Sequence, residues 1–326
     1  MSTNNTRPQR TPREYATLVV KGICMGASDI VPGVSGGTMA FILGIYEELI
    51  DSIRALGQPS IIQNILQNIR QQQWRQAEQL INWPFLVAVA SGIFIAILTL
   101  APSLEWVLES YPVYLWSFFF GLVLASAVTV SRRIDKWSPQ LLGGVAAGTL
   151  FAYLIVGLVP AQTPDSWWFL ILSGALAISA MILPGLSGAF ILLLLGKYQF
   201  VLSAVNNFDI VSIGLVGIGA GVGIISVAQV LGWLFNKYHD ITVAILIGFM
   251  VGSLRKVWPW KEDVAWLMDI NNEFIVRHGE RIVTQQENLF PPLGTDLGQV
   301  AIAFLLALVG FGLVLFIEWL ANQDSH

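Results

Sequence analysis

Six residues, Pro32-Gly33-Val34-Ser35-Gly36-Gly37, return as Pro184-Gly185-Leu186-Ser187-Gly188-Ala189, 152 positions later in a chain of 326. The match continues without a gap, so Leu43, Gly44 and Tyr46 fall on Leu195, Gly196 and Tyr198. Seven of the fifteen positions from Pro32 to Tyr46 are identical in the second copy, where average residue usage gives roughly one or two. Proline lacks an N–H and glycine accepts turn dihedrals, so each copy should end one helix and begin another. A duplicated helix break inside apolar sequence points to a transporter-type membrane fold rather than a soluble enzyme.

The duplication reaches beyond the motif. At an offset of 127, Gly92, Trp106, Tyr111, Gly121 and Ser126 land on Gly219, Trp233, Tyr238, Gly248 and Ser253. The change of offset leaves 25 extra residues in the first copy, the Gln-rich stretch 58–82. Apolar runs at 83–101, 112–131, 139–160, 210–235, 241–257 and 298–320 approach the ~20 residues that cross a bilayer. With 55% hydrophobic and only 12% charged residues, a soluble class is excluded. The legs around each break (15–31 with 35–50, and 167–183 with 187–204) are roughly 24–27 Å long as helix, short of a core of about 30 Å. Each pair is therefore read as a hairpin that enters and leaves on one side, and three crossings between them put the second on the opposite face.

The expected fold is an all-α polytopic membrane protein of two inverted repeats, each a re-entrant broken-helix hairpin plus three transmembrane helices. A tail (1–14) precedes repeat 1 (15–160), made of hairpin 15–57, interfacial helix 58–82 and spans 83–101, 112–131 and 139–160. Repeat 2 (167–320) holds hairpin 167–206, spans 210–235 and 241–257, an external loop 258–297 and span 298–320. Fourteen polar residues lead the chain, so no cleaved signal peptide is expected. With the N-terminus inside, eleven of the 17 Lys and Arg fall on the cytoplasmic side and five, at 255–281, outside, as the positive-inside tendency requires. Both termini are then cytoplasmic. Within 258–297, Phe274–Val276 and Arg281–Thr284 read as a small β-hairpin, and Trp258, Trp260 and Trp266 as interfacial anchors. The lone Cys24 excludes an internal disulfide, and His239, His278 and His326 show no metal-ligand spacing. Gly214, Gly217 and Gly221 read as a helix-packing seam.

Chemistry concentrates at the breaks. Pro32 and Gly33, and Pro184 and Gly185, are the hinges; Ser35 and Ser187 can N-cap the helices that follow. The N–H groups of Gly36, Gly37 and Thr38, and of Gly188 and Ala189, can then face an anion, since a helix N-terminus favours negative charge. Close packing of small residues is the alternative. Asp29, beside the first break, is an intramembrane acid that can carry a proton or a coupling cation, or simply accept from the broken backbone. Its counterpart is Met181, so the halves are chemically unequal. Glu47, Tyr46 and Tyr198 are candidate gate residues, with a solvated helix end the alternative for Glu47. Arg255 and Lys256 can draw an anionic headgroup from the outer leaflet, or snorkel to lipid phosphates. Glu105 and Glu109 share a helix face but carry no expected acid–base role.

Asp29–Thr38, Gly44-Ile45-Tyr46-Glu47, and Leu183–Gly188 with Gly196 and Tyr198 resemble the polyprenyl-phosphate translocase family of the PopT type, over nearly the whole chain. The resemblance implies return of undecaprenyl phosphate, the lipid carrier of cell-wall synthesis, from the outer to the inner leaflet of the bacterial cytoplasmic membrane. It implies a polyprenyl-phosphate partner among membrane lipids, no nucleic acid and no cofactor. Coupling to H+ or Na+, and assembly into a homo-oligomer, stay open. Two other functions stay open as well. One is ion-coupled transport of a small organic anion. The other is an undecaprenyl-pyrophosphate phosphatase, although Gly36 and Gly188 stand where its Pro-Gly-x-Ser loop carries a phosphate-clamping Arg.

Overall fold

The computed structural model describes residues 10–30, 35–70, 81–158, 160–161, 163–266, 274, 276–277, 280–281, 283–291 and 297–323. The chain enters through a capping box: the Thr11 hydroxyl accepts from the Glu14 N–H while the Glu14 carboxylate accepts from the Thr11 N–H. This starts α1 (Pro12–Ile30), with proline in its first turn where no N–H is needed. After the first break come α2 (Gly36–Ile42), α3 (Tyr46–Leu56) and α4 (Pro59–Arg70). Proline in the first turn also opens α5 (Trp83–Ser110), α6 (Pro112–Ser131) and α7 (Pro139–Ile155). The second half begins with α8 (Trp167–Ile182), α9 (Gly188–Leu194) and α10 (Tyr198–Asn206). It continues with α11 (Ile210–Ser253) and ends with α12 (Leu297–Gln323).

The protein is a largely membrane-embedded helical bundle. Four helices (α5, α6, α11 and α12) are long and apolar enough to cross a bilayer, or five spans if the bent pair α9–α10 is counted as one. Large apolar side chains such as Phe94, Leu98, Phe304 and Phe316 are exposed, as lipid-facing residues are.

The return leg of each hairpin departs from expectation. Segments 35–50 and 187–204 are not single helices: each stops after seven residues, at Gly44 (φ +69°) and Gly196 (φ +63°). Both stops have the same hydrogen bonds. Gly44 N–H reaches Phe41 and Ile45 N–H reaches Ala40; Gly196 N–H reaches Leu193 and Lys197 N–H reaches Leu192. This is the Schellman cap, whose left-handed residue glycine supplies without strain. The second leg then turns by 112°.

The halves share more than these caps. Tyr111 ends α5 at φ −139°, ψ 52°, and Tyr238 kinks α11 at φ −139°, ψ 50°. A T-shaped pair with ring centroids 5.8 Å apart stands at each, Trp106–Tyr111 and Trp233–Tyr238. Straight, the 44-residue α11 would be about 66 Å long, over twice the bilayer core; the kink at Tyr238 divides it into two segments.

Close seams hold the bundle. In each half the first leg packs on the next long helix, α1 on α5 and α8 on α11. An added Cβ at Gly22, Gly174 or Gly219 would lie 1.9–2.3 Å from a backbone carbonyl oxygen. The other main pairings cross between halves: α6 packs on α12 through Gly121 and Gly310, and α7 on the end of α11 through Gly148 and Gly248. The expected seam at Gly214, Gly217 and Gly221 is not formed. Among the described residues nothing lies within 4 Å of a Cβ added at any of them; Gly219 and Gly223, on the adjacent face, meet Ile171 and Ala175 instead.

Between α11 and α12, β1 (Lys261–Trp266) pairs antiparallel with β4 (Val283–Asn288), a ribbon absent from the sequence reading. The hairpin expected near 274–284 forms as β2 (Val276–Arg277) against β3 (Glu280–Arg281). The interfacial segment is helical over Pro59–Arg70; its continuation through Ala77 and Leu80 lies outside the described residues, as do the side chains of Glu105 and Glu109.

Candidate functional site

The two motifs, distant in sequence, dock on each other. All seven residues of α2 are buried, so the first motif ends in a helix enclosed on every side. Ser35 caps it by accepting from the Gly37 N–H at 3.1 Å. Its hydroxyl hydrogen is shared between the carbonyls of Met181 and Leu183, at 3.1 and 3.2 Å. In the other direction Gly185 N–H donates to Thr38 Oγ1 at 2.8 Å. Gly37 makes this approach possible: a Cβ there would sit 2.2 Å from the Ile182 carbonyl oxygen. Asp29 accepts from the Gly36 N–H at 2.7 Å. The N–H groups of Gly36 and Gly37 are thus occupied by protein. Pro32 and Gly33 lie outside the described residues.

The second motif is engaged differently. Gly185 (φ +84°) presses against Phe249 and Ser253, near the end of α11. Pro184 is buried, Ser187 is half-buried and Ala189 is exposed. Ser187 accepts only a long bond, 3.5 Å, from Phe190 N–H. One helix start is sealed inside the protein and its counterpart stands partly open. The unlike residues explain this: Gly37 and Thr38 fit a crowded polar junction, while Ala189 and Phe190 cannot.

Phe190 leads to the cations. The Lys256 ammonium lies over its ring at 4.9 Å, and the Lys261 ammonium lies 3.6 Å from the Trp116 ring centroid. Arg255 donates to the Tyr153 carbonyl at 3.1 Å and stacks on the Tyr153 ring at 4.4 Å. Phe190, Arg255, Lys256 and Lys261 line a cleft of about 80 Å³ together with Gln286, Glu287 and Asn288. Burial pushes Lys256 below its ordinary pKa; burial and then the charge of Lys256 push Lys261 well below. Among the described residues neither lysine has a carboxylate at ion-pair distance. Lys261 was not a sequence candidate, because only the β1–β4 pairing brings it back over the helix end.

The gate candidates lie in two places, Tyr46 and Glu47 against α11 and Tyr198 beside the 161–165 loop. Glu47 meets His239 at 3.3 Å beside the Tyr238 kink, tying α3 to α11. Its neighbour Glu48 forms a two-bond pair with Arg10, both at 2.6 Å, and accepts from Asn82 at 2.9 Å. Tyr46 is buried between Phe41 and Phe235 and its hydroxyl has no partner among the described residues. Tyr198 is half-buried beside Lys197, which pairs with Asp165. Among the described residues no three His, Cys, Asp or Glu side chains gather where a metal would sit.

Residues 25–275, which contain both motifs and the cleft cations Arg255, Lys256 and Lys261, match the model of a family described as VCA0040-like, undecaprenyl phosphate translocase-like. The chain belongs to that family. It is similar to a polyprenyl-phosphate transporter of Vibrio cholerae, 40% identical over 313 residues, covering 95% of this chain and 98% of that protein. It is also similar to a polyprenyl-phosphate transporter of Staphylococcus aureus, 30% identical over 260 residues, covering 74% of this chain and 85% of that one. No solved structure matches. Family membership and the long apolar helices make this a multi-pass protein of the bacterial inner membrane and a translocase-type protein rather than an enzyme.

Proposed function

We propose that this protein carries polyprenyl phosphate from the outer to the inner leaflet by alternating access, with the two halves acting as inverted repeats and each broken hairpin as re-entrant. The observation that carries this is the unequal engagement of two like motifs. The same seven-residue helix and glycine stop occur twice, yet one helix start is held by Asp29, Met181 and Leu183 and the other stands partly open. Repeats whose local structures agree but whose contacts differ describe one limb of a rocking cycle, and exchange of those contacts gives the other.

In this limb Arg255 and Lys256, at the outer end of α11, receive the headgroup, and Ser187, Gly188 and Ala189 take its phosphate. Separation of the motifs frees Ser35, Gly36, Gly37 and Thr38 to take the phosphate in turn. The isoprenoid tail stays in lipid throughout. Pro32-Gly33 and Pro184-Gly185 are the hinges, Asp29 is the coupling candidate, Glu47 with His239 and Tyr46 gate the inner side, and Tyr198 gates the outer side. The decisive experiment reconstitutes the protein in proteoliposomes and follows undecaprenyl phosphate between leaflets. Transfer into the leaflet facing the protein's N-terminus is expected; none from a folded preparation, with and without H+ and Na+ gradients, overturns the proposal.

A further inference from the structure

Extracellular segments usually hold their lysines in water or against acids. Here Lys261 leaves the first position of β1 and runs back over the end of α11, donating to the Lys256 carbonyl and resting on Trp116. The ribbon is fastened over the same place. Asn288 donates to the Arg255 carbonyl at 2.8 Å, Trp258 Nε1 to the Leu289 carbonyl at 2.8 Å, and Leu289 N–H to the Trp260 carbonyl at 3.0 Å. Three cations and two amide side chains thus surround one small cleft, with the exposed Glu287 as its acid. Asp263, the other nearby acid, accepts from Gln286 at 2.8 Å and forms no ion pair with either lysine. Neighbouring cations in a partly dehydrated site destabilise a protein unless an anion joins them.

We infer that this cleft is a receptor for a terminal phosphate monoester, with Lys261 as its central ligand and the β1–β4 ribbon as its roof. The inference rests on the transport reading above and adds the residue that holds the headgroup at its entry, Lys261, and the ribbon that covers it. A monoester carries a charge of about −1.5 to −2 near neutral pH and three free acceptor oxygens, matching three cations that converge from one side. A phosphodiester headgroup carries one charge, two free oxygens and substituents on both sides, so abundant anionic phospholipids satisfy the site poorly. The hydrogen bonds that fasten the ribbon at Arg255 and Leu289 keep the cations in place when the cleft is empty.

The test uses the full-length protein in detergent, with geranyl phosphate as probe and dihexanoyl phosphatidylglycerol and inorganic phosphate as competitors. Binding is read by calorimetry and stability by thermal unfolding. Lys261→Met is expected to weaken geranyl phosphate binding at least tenfold while raising the ligand-free unfolding temperature; a merely structural lysine would lower it. Unchanged affinity in Lys261→Met, or a diester that competes as well as the monoester, overturns the inference. Inorganic phosphate binding as tightly as geranyl phosphate would assign the cleft to free phosphate and overturn the lipid headgroup. Proteoliposome transfer separates the two proposals: transfer with an unaffected Lys261→Met sinks the cleft alone, and monoester binding without transfer in the parent sinks the transport reading alone.

Discussion

Gly37→Ala places one methyl group into the junction of the two motifs. Its Cβ would stand 2.2 Å from the Ile182 oxygen, 2.9 Å from the Ile182 carbonyl carbon and 3.2 Å from the Met181 oxygen, all backbone atoms. Ordinary contact begins at 3.4 Å, so the surfaces must separate by about 1 Å. That displacement takes the Gly185–Thr38 bond and the Ser35 bonds to Met181 and Leu183 beyond hydrogen-bond range. Two buried interactions at about 1–2 kcal/mol each are then lost. Alanine returns up to about 1 kcal/mol through helix propensity, leaving a net loss of about 1–3 kcal/mol. The chain supplies its own control: the counterpart of Gly37 is Ala189, which is exposed, so Ala189→Gly should cost no more than the propensity difference. Reversible unfolding in mixed micelles measures both. If Gly37→Ala stays within about 0.5 kcal/mol of the parent, or costs no more than Ala189→Gly, the motifs are not held together as described.

Asp29→Asn keeps an acceptor for the Gly36 N–H and should leave stability nearly unchanged, while Asp29→Ala orphans that donor and loses about 1–3 kcal/mol in the same assay; equal losses would show that the charge, not the acceptor, is what matters. Gly219→Ala should destabilise by about 1–3 kcal/mol through overpacking against Ile171, whereas Gly217→Ala, facing open space, should be neutral or stabilising by up to about 1 kcal/mol; thermal unfolding of the pair decides which face is the seam. Lys256 and Lys261 are held below their ordinary pKa in the folded protein. The unfolded chain therefore binds more protons in this range, and folded stability should rise as pH climbs toward about 10.4. Melting curves across alkaline pH should show this rise in the ligand-free parent and a smaller one in Lys261→Met.

The repeat, the breaks and the embedded class were legible because they are written locally, in a proline, two glycines and a serine at fixed spacing. The serine caps also followed from residue type, and the Asp29 bond to Gly36 was among the roles open to that acid. The stops at Gly44 and Gly196 were missed although both glycines recur in the repeat; Leu-Gly after an apolar turn is itself a Schellman signal. Gly214, Gly217 and Gly221 misled because small-residue spacing shows where a helix can be approached, not which face a partner takes. Docking of one motif on the other, and the return of Lys261 over α11, depend on pairings between residues far apart in sequence, which no local pattern records.

The crossed pairing of the halves bears on biosynthesis. Helix α6 emerges early from the ribosome, but the surface it needs, with Gly121 against Ala307, is carried by α12 at the other end of the chain. Until α12 has been made, the groove at Gly121 lacks the backbone that fills it in the folded protein. Insertion can proceed helix by helix, yet assembly of the first half must wait for the last helix, and a chain cut short before α12 would leave the membrane with a seam permanently unzipped.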